Sequence, residues 1–435
     1  MSLRIIFQSV VALSLLASAK ADQDWPEFRG PTGQGHAAAT QLPLEWDATR
    51  NVAWKQSIPG RGWSSPVLKD GRLYLTSAVE GTGGSAQMSL HALCLDEGTG
   101  KIRWDVEVFG GEASEAPRIH TKNSHASPTP LLADGRVYVH FGHQGTACLD
   151  LNGKVLWRNT SLAYPPVHGN GGSPILVGDA LIFSCDGASK PFVVALDKAT
   201  GKVLWKTPRE TSAKKTFSFS TPLLITVKGR QQVISPGSGA VCAFDPKTGR
   251  EIWRARYGEG YSVVPRPVFG HGLIFIGTGF DTPTVMAIRP DGTGDVTDTH
   301  VAWTLKKGAP NTPSLLLVGD ELYMVSDGGV ASCVDAKTGK VHWQERIGGN
   351  YSASPIHAGE RIYFQNEEGA GVVLKAGREF QTLATNSVGE RTLSSYAAAN
   401  NALFIRTDQH LFKVQEEPKL KSEVRDSKPA GSPKS

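Results

Sequence analysis

The sequence predicts an all-β chain, an eight-bladed β-propeller whose blades are four-stranded antiparallel sheets. Three observations predict it. The first is a hairpin that recurs as "CLDEGTGKIRW" ending at Trp104, "CLDLNGKVLW" at Trp157, "ALDKATGKVLW" at Trp205, "AFDPKTGREIW" at Trp253 and "CVDAKTGKVHW" at Trp343. The second is a piece upstream of it, in which small polar residues and Pro lead into a strand, a Gly turn and a second strand. The third is the regular return of the closing aromatic, at Trp54, Trp104, Trp157, Trp205, Trp253, Trp303 and Trp343, with Phe380 in the next slot. A repeat of this length, too short to bury a core alone, is the signature of stacked units.

The chain opens with Arg4, an apolar run from Ile5 to Ala17 and the small residues Ala19-Lys20-Ala21. This order predicts a cleavable secretory signal peptide over 1–21. The run is too short for a membrane span, which needs about 20 apolar residues, and no other stretch qualifies. The protein is therefore expected to be exported, to the periplasm or beyond. Residues 22–50, rich in Pro and Gly, are expected to pack on the ring as a lead-in.

The propeller is expected over 51–415. In each hairpin the apolar run before the Asp reads as a strand. The Asp accepts turn N–H groups, and the Gly takes the positive φ of a tight turn. The Lys after the Gly does not make a phosphate loop, because the upstream Gly and the following Ser or Thr are missing. The leading pieces "SSPVLKDGRLYL" (64–75), "ASPTPLLADGRVYV" (126–139), "GGSPILVGDALIF" (171–183), "FSTPLLITVKGRQQVI" (219–234) and "SASPIHAGERIYF" (352–364) supply the two inner strands of each blade. Leading strands near 65, 127, 173, 221, 266, 313, 354 and 395 give eight blades. The last unit, 394–414, runs out after three strands. "NVAWKQSI" (51–58) is expected to complete it and close the ring, which leaves no exposed sheet edge at the junction. Residues 416–435 have little to bury and are expected to be disordered.

The net charge of +5 is small for 435 residues, and two positive charges, Arg4 and Lys20, lie in the leader. Neither nucleic acid nor an anionic membrane is implied as a partner. Five cysteines leave at least one unpaired. Cys94, Cys148 and Cys333 each precede a repeat Asp by two residues. Equivalent positions in different blades lie too far apart to bridge, so they read as small buried hydrophobes.

These repeats resemble the pyrroloquinoline-quinone (PQQ)-type β-propeller over residues 25–415. That superfamily includes quinoprotein alcohol dehydrogenases and the outer-membrane assembly propellers of the BamB type. "WPEFRGPTGQG" (25–35), "GRGWSSP", "NSHASPTP" and "GNGGSP" are similar to an exported group known from planctomycete-like bacteria. For a dehydrogenase, the resemblance implies PQQ stacked on a Trp, Ca²⁺ held by carboxylate and amide ligands, an Asp base and a vicinal Cys–Cys disulfide. This sequence has no adjacent cysteines and no C-x-x-C-H. Trp63 and Asp186, Asp281 or Asp327 are what remains for that role. For a BamB-type scaffold, the lipid-anchoring Cys is missing.

Two loop sets share one face of such a ring, so polar and aromatic groups converge on one funnel mouth. The residues expected to bind a ligand there are Arg61, Trp63, Asn123, His125, His168, Asn170, Asn350 and Tyr351. Arg61 and Asn350 are expected to bond it, and Trp63 and Tyr351 to stack on it. His140-x-x-His143 has metal-ligand spacing, but firmly spaced Cys or acidic co-ligands are lacking, and no metal is expected. The resulting expectation is a monomeric, exported, non-catalytic binding or scaffold propeller of the cell envelope. Its partner is an envelope protein, a peptide or a glycan. It carries no catalytic residue and no resident cofactor. A PQQ- and Ca²⁺-dependent alcohol or sugar dehydrogenase is the first alternative, and a glycan-binding propeller the second.

Overall fold

The structure is a computed structural model that describes residues 24–80, 87–112 and 119–416. The expected signal peptide (1–21) and all but the first residue of the expected disordered tail (416–435) lie outside the described residues. Eight sheets form a ring, seven of four strands and one of five. In the first seven blades the four main strands pair antiparallel in chain order, inner to outer. The first blade runs through Val67–Lys69, Arg72–Glu80, Gln87–Asp96 and Ile102–Glu112. No helix among the described residues is long and apolar enough to cross a membrane.

The ring closes as the sequence indicates. Val52–Ser57 pairs antiparallel with His410–Gln415 and becomes the outer strand of the eighth blade, outside Ala402–Arg406 and Ala397–Ala399. The closing sheet is therefore built from both ends of the propeller, which ties the first blade to the last.

The hairpin motif explains how one blade holds the next. In the third blade the Asp197 Oδ1 accepts the backbone N–H of Thr200 (2.8 Å) and its hydroxyl (2.7 Å). Gly201 follows at φ +71°, and Asp335 with Thr338 and Gly339 repeats the arrangement. The indole of the preceding blade lies on that glycine. A Cβ on Gly201 would fall 2.5 Å from Trp157, and one on Gly339 2.8 Å from Trp303. Each indole N–H then donates to a carbonyl of the same hairpin: Trp54 to Glu97, Trp104 to Leu151, Trp157 to Lys198, Trp205 to Pro246 and Trp303 to Ala336, all at 2.9–3.0 Å. The absence of a side chain at the Gly makes room for a large apolar ring whose one polar atom is also satisfied.

Trp253 departs from the series. It is completely buried and donates instead to Gln232 Oε1 of its own blade (2.8 Å). The next blade lacks the hairpin and carries an insertion in its place. Gly294–Asp295 pairs parallel with this outer strand as the fifth strand of the sheet, and a short helix, Thr297–His300, follows.

The core is distributed between blades as apolar clusters packed face to face rather than held in one centre. All five cysteines are buried in it and unbridged.

Candidate functional site

The residue two positions before each inner strand helps decide what lines the central channel. In blade order these positions are Ser65, Thr129, Ser173, Thr221, Arg266, Ser314, Ser354 and Ser395. Seven of the eight are hydroxyls. They link the blades in series. The backbone N–H of Ser65 donates to Thr129 Oγ1 (3.0 Å), that of Thr129 to Ser173 Oγ (2.9 Å) and that of Ser173 to Thr221 Oγ1 (2.9 Å). A second run goes from Arg266 to Ser314 (2.9 Å), Ser354 (3.1 Å) and Ser395 (2.9 Å). Each N–H would otherwise be an unpaired inner edge facing the channel, which a buried backbone donor does not tolerate cheaply.

Arg266 breaks the series because its side chain has another task. It is buried and reaches the lead-in, where it pairs with Glu27 (3.0 Å) and donates to the Phe28 carbonyl and to Pro222 O. The lead-in crosses the face opposite the funnel mouth. Trp25 exchanges backbone hydrogen bonds with Leu68, Pro26 accepts from Leu132, and Gly35 and Ala37 bond His357. Phe28 thereby becomes the floor of the channel. Beside it Arg29 is 1% exposed, and its Nε and Nη1 have no protein partner. Burial and the neighbouring Arg266 charge push its pKa down to about 9.

Above this floor is a cavity of about 510 Å³, within the range of about 300–1,000 Å³ typical of ligand pockets. One wall is an aromatic arc from three successive blades. His168 meets Phe217 edge-on (5.2 Å between ring centres), Phe217 meets Tyr261 (5.4 Å), and Phe219 and Phe280 extend the arc. The opposite wall is polar, with Asn311, Thr312, Asp327 and Ser352 above the hydroxyl ring. A loop from the second blade runs over the mouth. Lys122 Nζ pairs with Glu367 Oε1 (2.7 Å), Arg391 donates to the Thr121 carbonyl (3.1 Å), and Asn123 Nδ2 donates to the His168 carbonyl (2.8 Å).

Of the residues expected from sequence, Trp63, Asn123 and His168 line this cavity together. Arg391 lies over the Trp63 ring at 5.5 Å. Arg61 and Asn350 are exposed and stand outside the lining. The other three lie behind the wall. Asn170 is buried, bonding Tyr164 and the Phe141 carbonyl. His125 is half-buried, with an unpartnered Nδ1. Tyr351, expected to stack on the ligand, is 0% exposed in the apolar core between the sixth and seventh blades. Its position after a polar turn resembles that of a funnel residue, but the loop places its ring in the apolar cluster between the blades. Phe28, Phe280 and the hydroxyl ring were not among the expected ligand residues. Phe28 is far away in sequence, and the hydroxyls read as ordinary strand-leading polar residues.

Two carboxylates near the channel, Asp327 and Asp186, have protein partners, although Asp186 Oδ2 is buried without one. Asp327 accepts from the N–H of Asn311 (2.7 Å) and Thr312 (3.3 Å) and from the Thr312 hydroxyl (2.6 Å). Asp186 is sealed against Arg209 (3.1 Å), both side chains being at most 1% exposed. Burial pushes the Asp186 carboxyl up and Arg209 opposes the shift. His140 is buried, bonds Thr146 Oγ1 (2.8 Å) and is pushed down to about 3 by desolvation. Among the described residues no three His, Cys, Asp or Glu side chains converge as metal ligands. The residues present therefore do not fit the set that PQQ and Ca²⁺ require. Asp327 is taken, Asp186 is sealed with one oxygen on Arg209 and its Oδ2 unpartnered, Asp281 stands without two ligating neighbours, and a cation lies over Trp63.

A family model described as "Outer membrane protein assembly factor BamB" matches residues 45–220, 189–318 and 294–386, well over half of the chain. The chain belongs to this family. Its relatives extend beyond assembly factors. It is 22% identical to tetrathionate hydrolase of Acidithiobacillus ferrooxidans over 69% of this chain and 67% of that protein. It is 32% identical to methanol dehydrogenase subunit 1 of Methylobacterium organophilum, over 31% of this chain and 24% of the dehydrogenase, so it spans only a minor part of that enzyme. Among solved structures it is similar to BamB from Moraxella catarrhalis (TM-score 0.58, 15% identity, 82% of this chain and 96% of that one). It is also similar to a europium-containing methanol dehydrogenase (TM-score 0.53, 12% identity, 90% of each chain). At such identities the likeness concerns the fold, which hosts unrelated functions.

Proposed function

We propose that the protein is an exported, non-catalytic binding propeller of the cell envelope, which takes its ligand or protein partner at the mouth of the central channel. The observation that carries this reading is the cavity of about 510 Å³ with an aromatic wall facing a polar one. It is concave, largely preformed and rich in hydrogen-bonding groups. The leader pattern in residues 1–21 and the family's description support an envelope location.

A quinoprotein oxidoreductase is the competing reading, favoured by the likeness to methanol dehydrogenases. The hydrogen-bonded Asp327 and the solvent-sealed Asp186–Arg209 pair weigh against it. A thermal melt of residues 22–435 separates the two. A ligand at 100 times its Kd stabilises a fold by about 2.7 kcal/mol. The expected outcome is no Ca²⁺-dependent shift with PQQ. Panels of envelope-derived peptides and glycans are expected to yield a binder whose affinity falls at least tenfold in Trp63→Ala. A clear PQQ- and Ca²⁺-dependent rise in Tm, followed by dye-linked alcohol oxidation, would replace the binding reading with the enzyme.

A further inference from the structure

We infer that the channel cavity takes an acidic saccharide, its carboxylate or sulfate directed at the hydroxyl ring and its sugar faces laid on the aromatic wall. This assignment rests on the binding reading above and names the ligand class of the same site.

The hydroxyl ring is the first ground. Thr129, Ser173, Ser314, Ser354 and Ser395 line the cavity and are each at most 6% exposed. Each oxygen already accepts a backbone N–H from the preceding blade. No protein acceptor among the described residues takes their protons. A hydroxyl in this state keeps its O–H donor free and has used one of its two acceptor lone pairs. A ring of such groups presents O–H donors to the channel, and oxygen-rich or anionic groups satisfy them best.

Charge is the second ground. Asp327 is the one acid in the lining, and protein donors already serve both of its oxygens. Glu367, at the mouth, is paired with Lys122. The exposed acids Asp281 and Glu368 remain at the rim. Against them, Arg391 over Trp63 and Lys215 over Tyr261 (3.8 Å) have no carboxylate within ion-pair distance among the described residues. Beneath the Phe28 floor the buried cations Arg29 and Arg266 face the single carboxylate Glu27. A net positive charge buried under a donor ring favours an anion above it.

The third ground separates a sugar from a peptide. A peptide that binds by strand addition needs unpaired backbone donors. Here the N–H groups leading into the inner strands are consumed by the hydroxyls. The aromatic wall, by contrast, offers ring faces and edges at Phe219, Tyr261 and Phe280, the last 38% exposed.

The test is calorimetric titration of the folded protein with matched pairs. One pair is tetragalacturonate and its fully methyl-esterified form. The other is a sulfated galactose oligomer and its desulfated form. An acidic tetrapeptide with a free C-terminus is the third probe. At least one acidic sugar is expected to bind ten times or more tightly than its neutral partner, and which pair responds identifies carboxylate or sulfate. Tyr261→Ala is expected to weaken both members of the responding pair. Ser314→Ala with Ser354→Ala is expected to weaken the acidic member more. The double variant loses structural acceptors as well; if it fails to fold, the wild-type comparison of charged and neutral forms is decisive. Equal affinity for both members, with loss of both in Tyr261→Ala, would overturn the anion assignment and leave the cavity as a binding site. Preference for the acidic peptide would overturn the saccharide. No binding of any of the three probes would overturn the inference alone. The binding reading would fall with it only if the broader peptide and glycan panels also yielded no binder sensitive to Trp63→Ala.

Discussion

Gly201 and Gly178 separate two costs that usually come together. Both hold positive φ, +71° and +62°. A Cβ on Gly201 would strike Trp157 at 2.5 Å, whereas one on Gly178 would meet nothing within 4 Å. Gly178→Ala is therefore expected to cost only the left-handed backbone penalty of about 1–2 kcal/mol. Gly201→Ala must also displace the indole, and overpacking adds about 1–3 kcal/mol. Denaturant midpoints of the two variants check this, and equal losses would show that Trp157 does not depend on the glycine. The same contact makes the repeat legible in the sequence. Gly and Trp recur together because each needs the other across a blade boundary. Tyr351 shows the limit of residue-level reading. An aromatic after a turn looks alike whether its ring faces solvent or a neighbouring blade.

The hairpin is the element that repeats, and its Asp gives it a pH signature. Asp197 and Asp335 are held below the usual carboxylate value chiefly by hydrogen bonds from the turn threonine, and Asp96 first by the Arg103 guanidinium and then by the turn. Asp245 is also lowered, its turn N–H bonds outweighing burial. The unfolded chain therefore binds protons first as pH falls. The stability these groups contribute is present above the unfolded value of 3.8 and is lost as pH drops below it toward the folded values. Changing all four to Asn keeps an acceptor in each turn but removes the titration. Between pH 5 and pH 3 the urea midpoint of this variant is expected to fall less than that of the wild type. Parallel slopes would mean that other carboxylates govern acid unfolding. The strands and turns of these hairpins were evident from alternation and the Asp-x-x-Thr-Gly pattern. The insertion at 289–300 was not, because its Gly294–Asp295 strand is too short to carry a pattern and pairs parallel.

At the scale of the molecule, the lead-in and the ring are joined by an ion pair between buried Arg266 and Glu27, which is 21% exposed. Removing one partner of a fully buried pair costs about 3–5 kcal/mol, and the partial exposure of Glu27 lowers that figure. Arg266→Ser would supply the missing hydroxyl of the ring, yet it leaves Glu27 without its cation. Arg266→Ser alone is expected to be strongly destabilising. Glu27→Gln with Arg266→Ser is expected to be milder than the sum of the two single changes, as measured by a double-mutant cycle. Additive losses would mean that the two side chains are not coupled. The floor they hold also sets the depth of the cavity, so the same cycle bears on any ligand that reaches Phe28.

The sequence by itself determined the blade count, the strand order and the closure by Val52–Ser57. These follow from local periodicity, turn chemistry and one short repeat, all of which are written along the chain. Of its eight candidate ligand residues, Trp63, Asn123 and His168 line the cavity together. Only the tertiary structure decided the rest. It brought hydroxyls from six blades into the cavity lining, placed Phe28 beneath them, bound both oxygens of Asp327 internally and sealed Asp186 against Arg209. A residue's blade is a local property. The direction of its side chain depends on the twist and packing of the neighbouring blades, which no short stretch of sequence contains.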